Sequence, residues 1–193
     1  MSTVIEFDPD THTYTVDGTV YPGVTTILKD VGLIDTAHYT EEAATRGTAV
    51  HEAVSMVVKG LLSAEAWGGT EVEPYILAWE KFLRDSKLEV EESERLAYES
   101  VYHYATHIDI EAKLQGKPVV IDIKSGALQA WHGCQLAADT MLNDRLDRFV
   151  LQLNGDGTYR LHDEYRGEKF RSRLWDKVWI GALSVYWWKR QMG

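Results

Sequence analysis

Apolar and polar positions alternate over residues 4–7 and again over 12–16, a period of two that predicts two short strands. VDG at 16–18 marks the turn after them, and YPG at 21–23 marks a second turn. TTILKDVG then predicts a short helix, capped by Thr25 or Thr26 and ended at Gly32. From about Thr40 to Leu61 the period lengthens. Val50, Val54, Val57, Val58 and Leu61 form one apolar stripe, the mark of a second helix. GGTEVEP at 68–74 is a loop. PYILAWEKFLRDS starts a third helix with Pro74 near its first position.

The period returns to two in ERLAYES and VYHYATHIDIEA, and VVIDIK follows after LQGKP. A helix from about Leu128 to Asn143 carries Trp131, Cys134, Ala138 and Met141 at helical spacing. RFVLQLN and TYRLHDE flank GDG as a hairpin. A final helix runs from about Glu168 to Arg190. No repeat, low-complexity segment or linker interrupts the pattern, so residues 1–193 are expected to form one α/β domain with a mixed sheet.

Composition narrows the classes. The hydrophobic fraction of 45% and the charged fraction of 26% are those of a globular protein. No apolar run is long enough to span a bilayer, and MSTVIEFDPD lacks the basic and apolar segments of a signal peptide. Cys134 is the only cysteine, which excludes an internal disulfide, a cysteine zinc cage and a four-cysteine iron–sulfur cluster. A cytoplasmic location is expected. The net charge of −10 argues against a non-specific DNA coat. The charge is uneven, however. Residues 65–99 hold ten acids against four bases, and residues 160–190 hold eight bases against four acids. The basic end could meet an anion, although a solvated helix face is the commoner use of such a run.

PVVIDIKSG at 118–126 departs from the oily strand around it. Asp122 and Lys124 sit two apart, on one face of that strand. A turn on Gln115 and Gly116 pairs residues whose numbers sum to 231, which sets Asp109 opposite Asp122. Such Cβ atoms lie about 5 Å apart, and like charges there are destabilising. Something positive is expected between them: Lys124, or better a divalent cation, which suits converging carboxylates. Without the second acid, D-x-K would be an ordinary solvent-facing pair. On the second helix His51 flanks the apolar stripe, a position more often used for a structural hydrogen bond than for a ligand. Arg46, Gly47 and Thr48 precede it, and glycine inside a helix suits close approach to the backbone, as by a phosphate.

In order, RGTAVHEAV, YATHID, VIDIKSG and QLAAD resemble the motifs of the PD-(D/E)XK nucleases of the RecB type, which include phage exonucleases and the nucleases that trim DNA for CRISPR adaptation. HTYTVDGTVYPGVTTIL is similar to the N-terminal part of phage-encoded members. The resemblance spans about residues 5–175. It implies a restriction-endonuclease-like core of αβββαβ order and a Mg²⁺- or Mn²⁺-dependent deoxyribonuclease, an exonuclease by its nearest likeness, acting in phage-like DNA recombination, repair or processing. His51, Asp109 and Asp122 would ligate the metal with the carbonyl of Ile123. Lys124 would be the catalytic lysine, supported by Gln135, and Glu94 matches an acid that these nucleases often carry. Arg46 and Thr48 would meet DNA. A histidine among the ligands shifts preference toward Mn²⁺ relative to an all-oxygen site.

Three departures stand beside the match. Thr106 replaces a glycine before the metal-binding acid, and Asp139 replaces a tyrosine after QLxx. The chain also lacks the cysteines of the iron–sulfur relatives. Two other readings compete. One is a catalytically silent nuclease-fold protein that binds DNA or a partner. The other is an assembly subunit, or homo-oligomer, that docks through the aromatic helix WDKVWIGALSVYWWKR.

Overall fold

The computed structural model describes residues 3–9, 11–35, 40–142, 147–166 and 170–192, without the side chains of 170–172 and 192. It is a mixed α/β structure in which a mixed sheet is flanked by helices. Strands β1 (Ile5–Asp8), β2 (Thr13–Val16) and β3 (Thr19–Tyr21) form a small antiparallel sheet. The third strand exists because VDG closes a two-residue hairpin. Asp17 and Gly18 both take positive φ, 48° and 77°, the turn that matches strand twist. Helix α1 (Val24–Asp30) starts one residue before Thr25 and has no side-chain cap. Its start is pinned by packing instead: a Cβ on Gly23 would lie 2.9 Å from the Tyr14 ring, and Gly23 bridges Ala105.

Helix α2 (Glu41–Val58) is capped by the Thr40 hydroxyl, which accepts from the Ala43 N–H at 3.2 Å. It stops short of Leu61, which is exposed beyond Gly60 at φ 65°. A single 3₁₀ turn (Ala64–Trp67) leads to helix α3 (Glu73–Ser86). The main sheet follows: β4 (Glu89–Glu99), β5 (Tyr104–Leu114), β6 (Lys117–Lys124), β7 (Asp147–Leu153) and β8 (Tyr159–His162), in that spatial order. Within this sheet, among the described residues, β6 and β7 are the one parallel pair of strands, joined through helix α4 (His132–Met141). Helix α5 (Phe170–Met192) closes the described chain. Residues 143–146 and 167–169, where the expected ends of two helices fall, lie outside the described residues. The strand predicted to begin at Glu94 begins at Glu89, and residues 101–103 form a turn rather than strand.

The two faces of the main sheet bury different helices. Ile110, Ala112, Val119, Ile121 and Ile123 pack on Val50 and Val54 of α2 and Trp79 and Phe82 of α3. On the other side Val120 and Val150 meet Leu136 of α4. Trp179 and Leu183 of α5 join α4 to α1 through Ile27, Leu28 and Cys134. Gly133 sets the α4–α5 spacing, since a Cβ there would lie 2.4 Å from the Trp175 indole. Truncating fully buried Trp79 or Trp179 to Ala would destabilise the fold by about 3–5 kcal/mol. Among the described residues no helix is long and apolar enough to cross a membrane.

Candidate metal centre

The β5–β6 hairpin turns on Gln115 and Gly116, with φ of 53° and 76°, and its rungs run from Leu114↔Lys117 to Ile110↔Ile121. Each pair sums to 231, so the next rung would join Asp109 and Asp122. The ladder ends before it. Instead the Ile123 N–H donates to Asp109 Oδ2 at 2.7 Å. The parting strands therefore present two carboxylates, with a side chain bridging to the neighbouring backbone.

The pleat also inverts at this point. Ile108 packs with Leu136 and Val150 on the α4 side, whereas Ile110 packs with Val50 and Trp79 on the α2 side. A regular strand would put both on one face. Opposite Asp109, Glu94 on β4 takes φ 53°, between the rungs Ser93↔Ile110 and Arg95↔Ile108. A left-handed backbone costs a non-glycine residue about 1–2 kcal/mol, and such strain persists where the surroundings impose it. Here it aims the Glu94 carboxylate at Asp109.

His51 of α2 fills the space between these acids. Its Nδ1 lies 3.4 Å from Asp109 Oδ1 and 3.6 Å from Glu94 Oε1. Its Nε2–H donates to the Ile123 carbonyl at 2.9 Å. Burial alone would lower the imidazole pKa, but the Asp109 and Glu94 carboxylates hold it up at about 10. The imidazolium is thus the positive charge at the centre of the cluster. Burial works on the acids too. It raises Glu94 against the pull of His51, while His51 and Lys124 overcome it at Asp109 and leave that carboxyl low.

Lys124, at the end of β6, places Nζ 2.6 Å from Asp122 Oδ1 and 3.3 Å from Gln135 Oε1 of α4. Burial pushes the Asp122 carboxyl up to about 6 against the attraction of Lys124. Burial would lower the Lys124 pKa, yet Asp122 and Asp109 together raise it, so the ammonium stays charged. The backbone just beyond is held by Gln152, whose amide donates to the Gly126 carbonyl at 2.9 Å.

Of the residues expected at the site, His51, Asp109 and Ile123 contact one another, as do Asp122, Lys124 and Gln135, and the two sets meet at the Asp122–Ile123 peptide. Among the described residues His51, Glu94 and Asp109 form a group of ligand atoms all within 4.8 Å of one another, with Glu94, expected as a matching acid, taking part. Asp122 stands behind them with Oδ2 buried and unpartnered among the described residues. Two carboxylates and an imidazole, with an orphaned carboxylate oxygen and a carbonyl beside them, are a donor set that could hold a divalent metal ion.

His51, Glu94, Asp109, Lys124 and Gln135 line a cavity of about 700 Å³, which Gly47 and Thr48 also border. A Cβ at Gly47 would meet nothing within 4 Å, and the Thr48 hydroxyl is turned back to the Ala44 carbonyl. Arg46 is not brought to this cavity. It borders a separate hollow of about 370 Å³ with Glu41, Glu42 and Glu71, and its buried Nε has no hydrogen-bond partner among the described residues. The basic C-terminal segment is partly neutralised, since Arg166 pairs with Asp147 and both Lys189 and Arg190 pair with Asp30.

The two substituted motif positions touch each other. The Thr106 hydroxyl donates to Asp139 Oδ1 at 3.0 Å, beneath the centre. Burial, then repulsion from Asp122 and Asp109, holds the Asp139 carboxyl well above the usual range despite that bond. In the sequence 33 residues part these two departures, so no local pattern joins them. Phe7 and Tyr14 of the small sheet form one wall of the cavity, and their alternation in the sequence marks only strand.

No family model matches the sequence, and no curated protein matches it. A solved structure, "Crystal structure of SSO0001", is similar at 14% identity over 84% of each chain with a TM-score of 0.35, a likeness too slight to carry an argument.

Proposed function

We propose that this chain is a divalent-metal-dependent nuclease that hydrolyses phosphodiester bonds in DNA. The observation that carries this proposal is the meeting of His51, Glu94 and Asp109 with the Asp122–Lys124 pair at the end of one strand. The order α3, β4, β5, β6, α4, β7 supports a restriction-endonuclease-like core around them.

His51, Glu94, Asp109 and Asp122, with the Ile123 carbonyl, would hold Mg²⁺ or Mn²⁺. When bound, such an ion polarises the phosphate and lowers the pKa of a water molecule. The chain's own groups do the rest. His51, on losing a proton to solvent, would offer an imidazole nitrogen, and the Ile123 carbonyl, once free of its bond to Nε2–H, would offer its oxygen. The Lys124 ammonium, anchored by Asp122 and Gln135, orients the attacking water and stabilises negative charge that develops on the phosphoryl oxygens. The acid and the amine share a strand face because the metal and the attacking water must be neighbours.

The test is cleavage of end-labelled single- and double-stranded DNA with Mg²⁺, with Mn²⁺ and with chelator. The expected result is cleavage that needs the ion and fails in Lys124→Ala. A folded wild-type protein that cuts no DNA with either ion would overturn the assignment and favour a catalytically silent binding protein.

A further inference from the structure

The wall of the cavity furthest from Lys124 in chain order is aromatic, and no metal-binding role accounts for it. The small N-terminal sheet lies against β4 and β5, with Tyr14, Val16 and Tyr21 packed on Ala105 and flanked by Leu96 and Tyr98. That packing sets Phe7 of β1 beside His107 of β5, ring centroids 4.6 Å apart and planes at 90°. His12, in the turn between β1 and β2, stands on Phe7 at 5.1 Å and 82°. Tyr14 backs the group, 4.7 Å from Phe7, with its hydroxyl 3.3 Å from His107 Nδ1. Phe7, His12, Tyr14 and His107 line the same cavity as His51, Asp109 and Lys124.

Phe7 is only half-buried and His12 is exposed. A phenyl ring with two imidazoles set perpendicular to it makes an open aromatic corner. His12 holds its place there with φ 54°, a left-handed conformation. A planar heteroaromatic ring complements such a corner, because it offers a face for stacking and polar edges for the imidazoles. The acids nearby disfavour a further phosphate in this part of the cavity, but they do not oppose an uncharged base. In an intact duplex each base face is already covered by its neighbours. Away from a duplex end, an unpaired base offers its face to a protein ring without unstacking its neighbours, and base–aromatic stacking tolerates any sequence.

We propose that Phe7, His12 and His107 form a stacking subsite for one unpaired nucleobase of the DNA strand whose phosphate lies at the metal centre. The substrate of this site is therefore single-stranded DNA or an unpaired end. This proposal rests on the nuclease assignment for the position of the phosphate, but not for the stacking itself.

The test is fluorescence anisotropy in chelator, where no strand is cut. The probes are a labelled single-stranded oligonucleotide, an abasic oligonucleotide of equal length and charge, and a blunt hairpin duplex. The wild-type chain should bind the base-bearing strand more tightly than the other two. Phe7→Ala should weaken that binding by roughly 5- to 100-fold, the range for losing one stacked base, and should leave the abasic strand unaffected. Phe7→Leu keeps apolar bulk for folding and should lose the preference as well, whereas Phe7→Trp should retain it. Equal binding of base-bearing and abasic strands by the wild type, or an undiminished preference in Phe7→Leu, would overturn the subsite. Preference for bases without metal-dependent cleavage would keep the subsite and remove the nuclease; cleavage without that preference would do the reverse.

Discussion

Lys124→Ala removes an ammonium that lies 2.6 Å from Asp122, in a pair whose side chains are only 16% and 1% exposed. An exposed ion pair would contribute about 0–1 kcal/mol. Asp122 left charged and alone would instead destabilise the fold by about 3–5 kcal/mol. A less costly route is open, because burial already holds the Asp122 carboxyl at about 6 in the intact pair. At pH 7 the ionised form is favoured over the protonated form by only one pH unit, about 1.4 kcal/mol. The variant can therefore protonate Asp122, and its stability loss should be about 1–2 kcal/mol at pH 7. The sign of the pH dependence follows. A carboxyl raised further in the folded state resists ionisation, so the penalty grows as pH rises through about 6 and vanishes near pH 5, where Asp122 is protonated in both proteins. Urea denaturation at the two pH values measures this. The nuclease rate should fall by roughly 10²-fold or more, the scale of losing one transition-state stabiliser, while metal binding survives. A folded Lys124→Ala protein that cuts at the wild-type rate would refute the role given to the lysine. A stability gap equal at pH 5 and pH 7 would refute the neutralisation argument.

Asp122→Asn should weaken Mn²⁺ binding as well as cleavage, as followed by calorimetry, because it removes a charge from the donor set and not from the water-orienting group. Asp139→Asn keeps an acceptor for the Thr106 hydroxyl and needs no proton. It should be more stable than the wild type at neutral pH, the gap opening by at most about 1.4 kcal/mol per pH unit above about pH 4; an unchanged denaturation midpoint at pH 7 would count against the raised Asp139 carboxyl. DNA affinity should fall steeply between low and moderate salt through counterion release if the basic segment at 160–190 meets the strand, and a flat salt response would exclude that segment as the binding site.

Much of this centre is legible in the sequence because its parts are local. Gln115 and Gly116 fix the hairpin, and the hairpin fixes the register as far as Ile110 and Ile121, one residue short of Asp109 and Asp122. The 3.6-residue period of α2 likewise places His51 at the rim of a buried stripe whose members Val50 and Val54 are in the core. Non-local features are not legible. Nothing in ESERLAYE marks Glu94 as left-handed, because the constraint comes from the partner strand and from His51 of a separate helix. The contact of Thr106 with Asp139 depends on how α4 packs on β5. Arg46 and Thr48 are two apart on a helix, and that spacing sends Arg46 to a different hollow from the one Thr48 faces.

The most direct measurement is anomalous diffraction from crystals of the protein soaked in Mn²⁺. The account predicts one ion among His51, Glu94, Asp109 and Asp122, with His51 released from the Ile123 carbonyl. Crystals that hold no ion there, with His51 still bonded to Ile123, would contradict it.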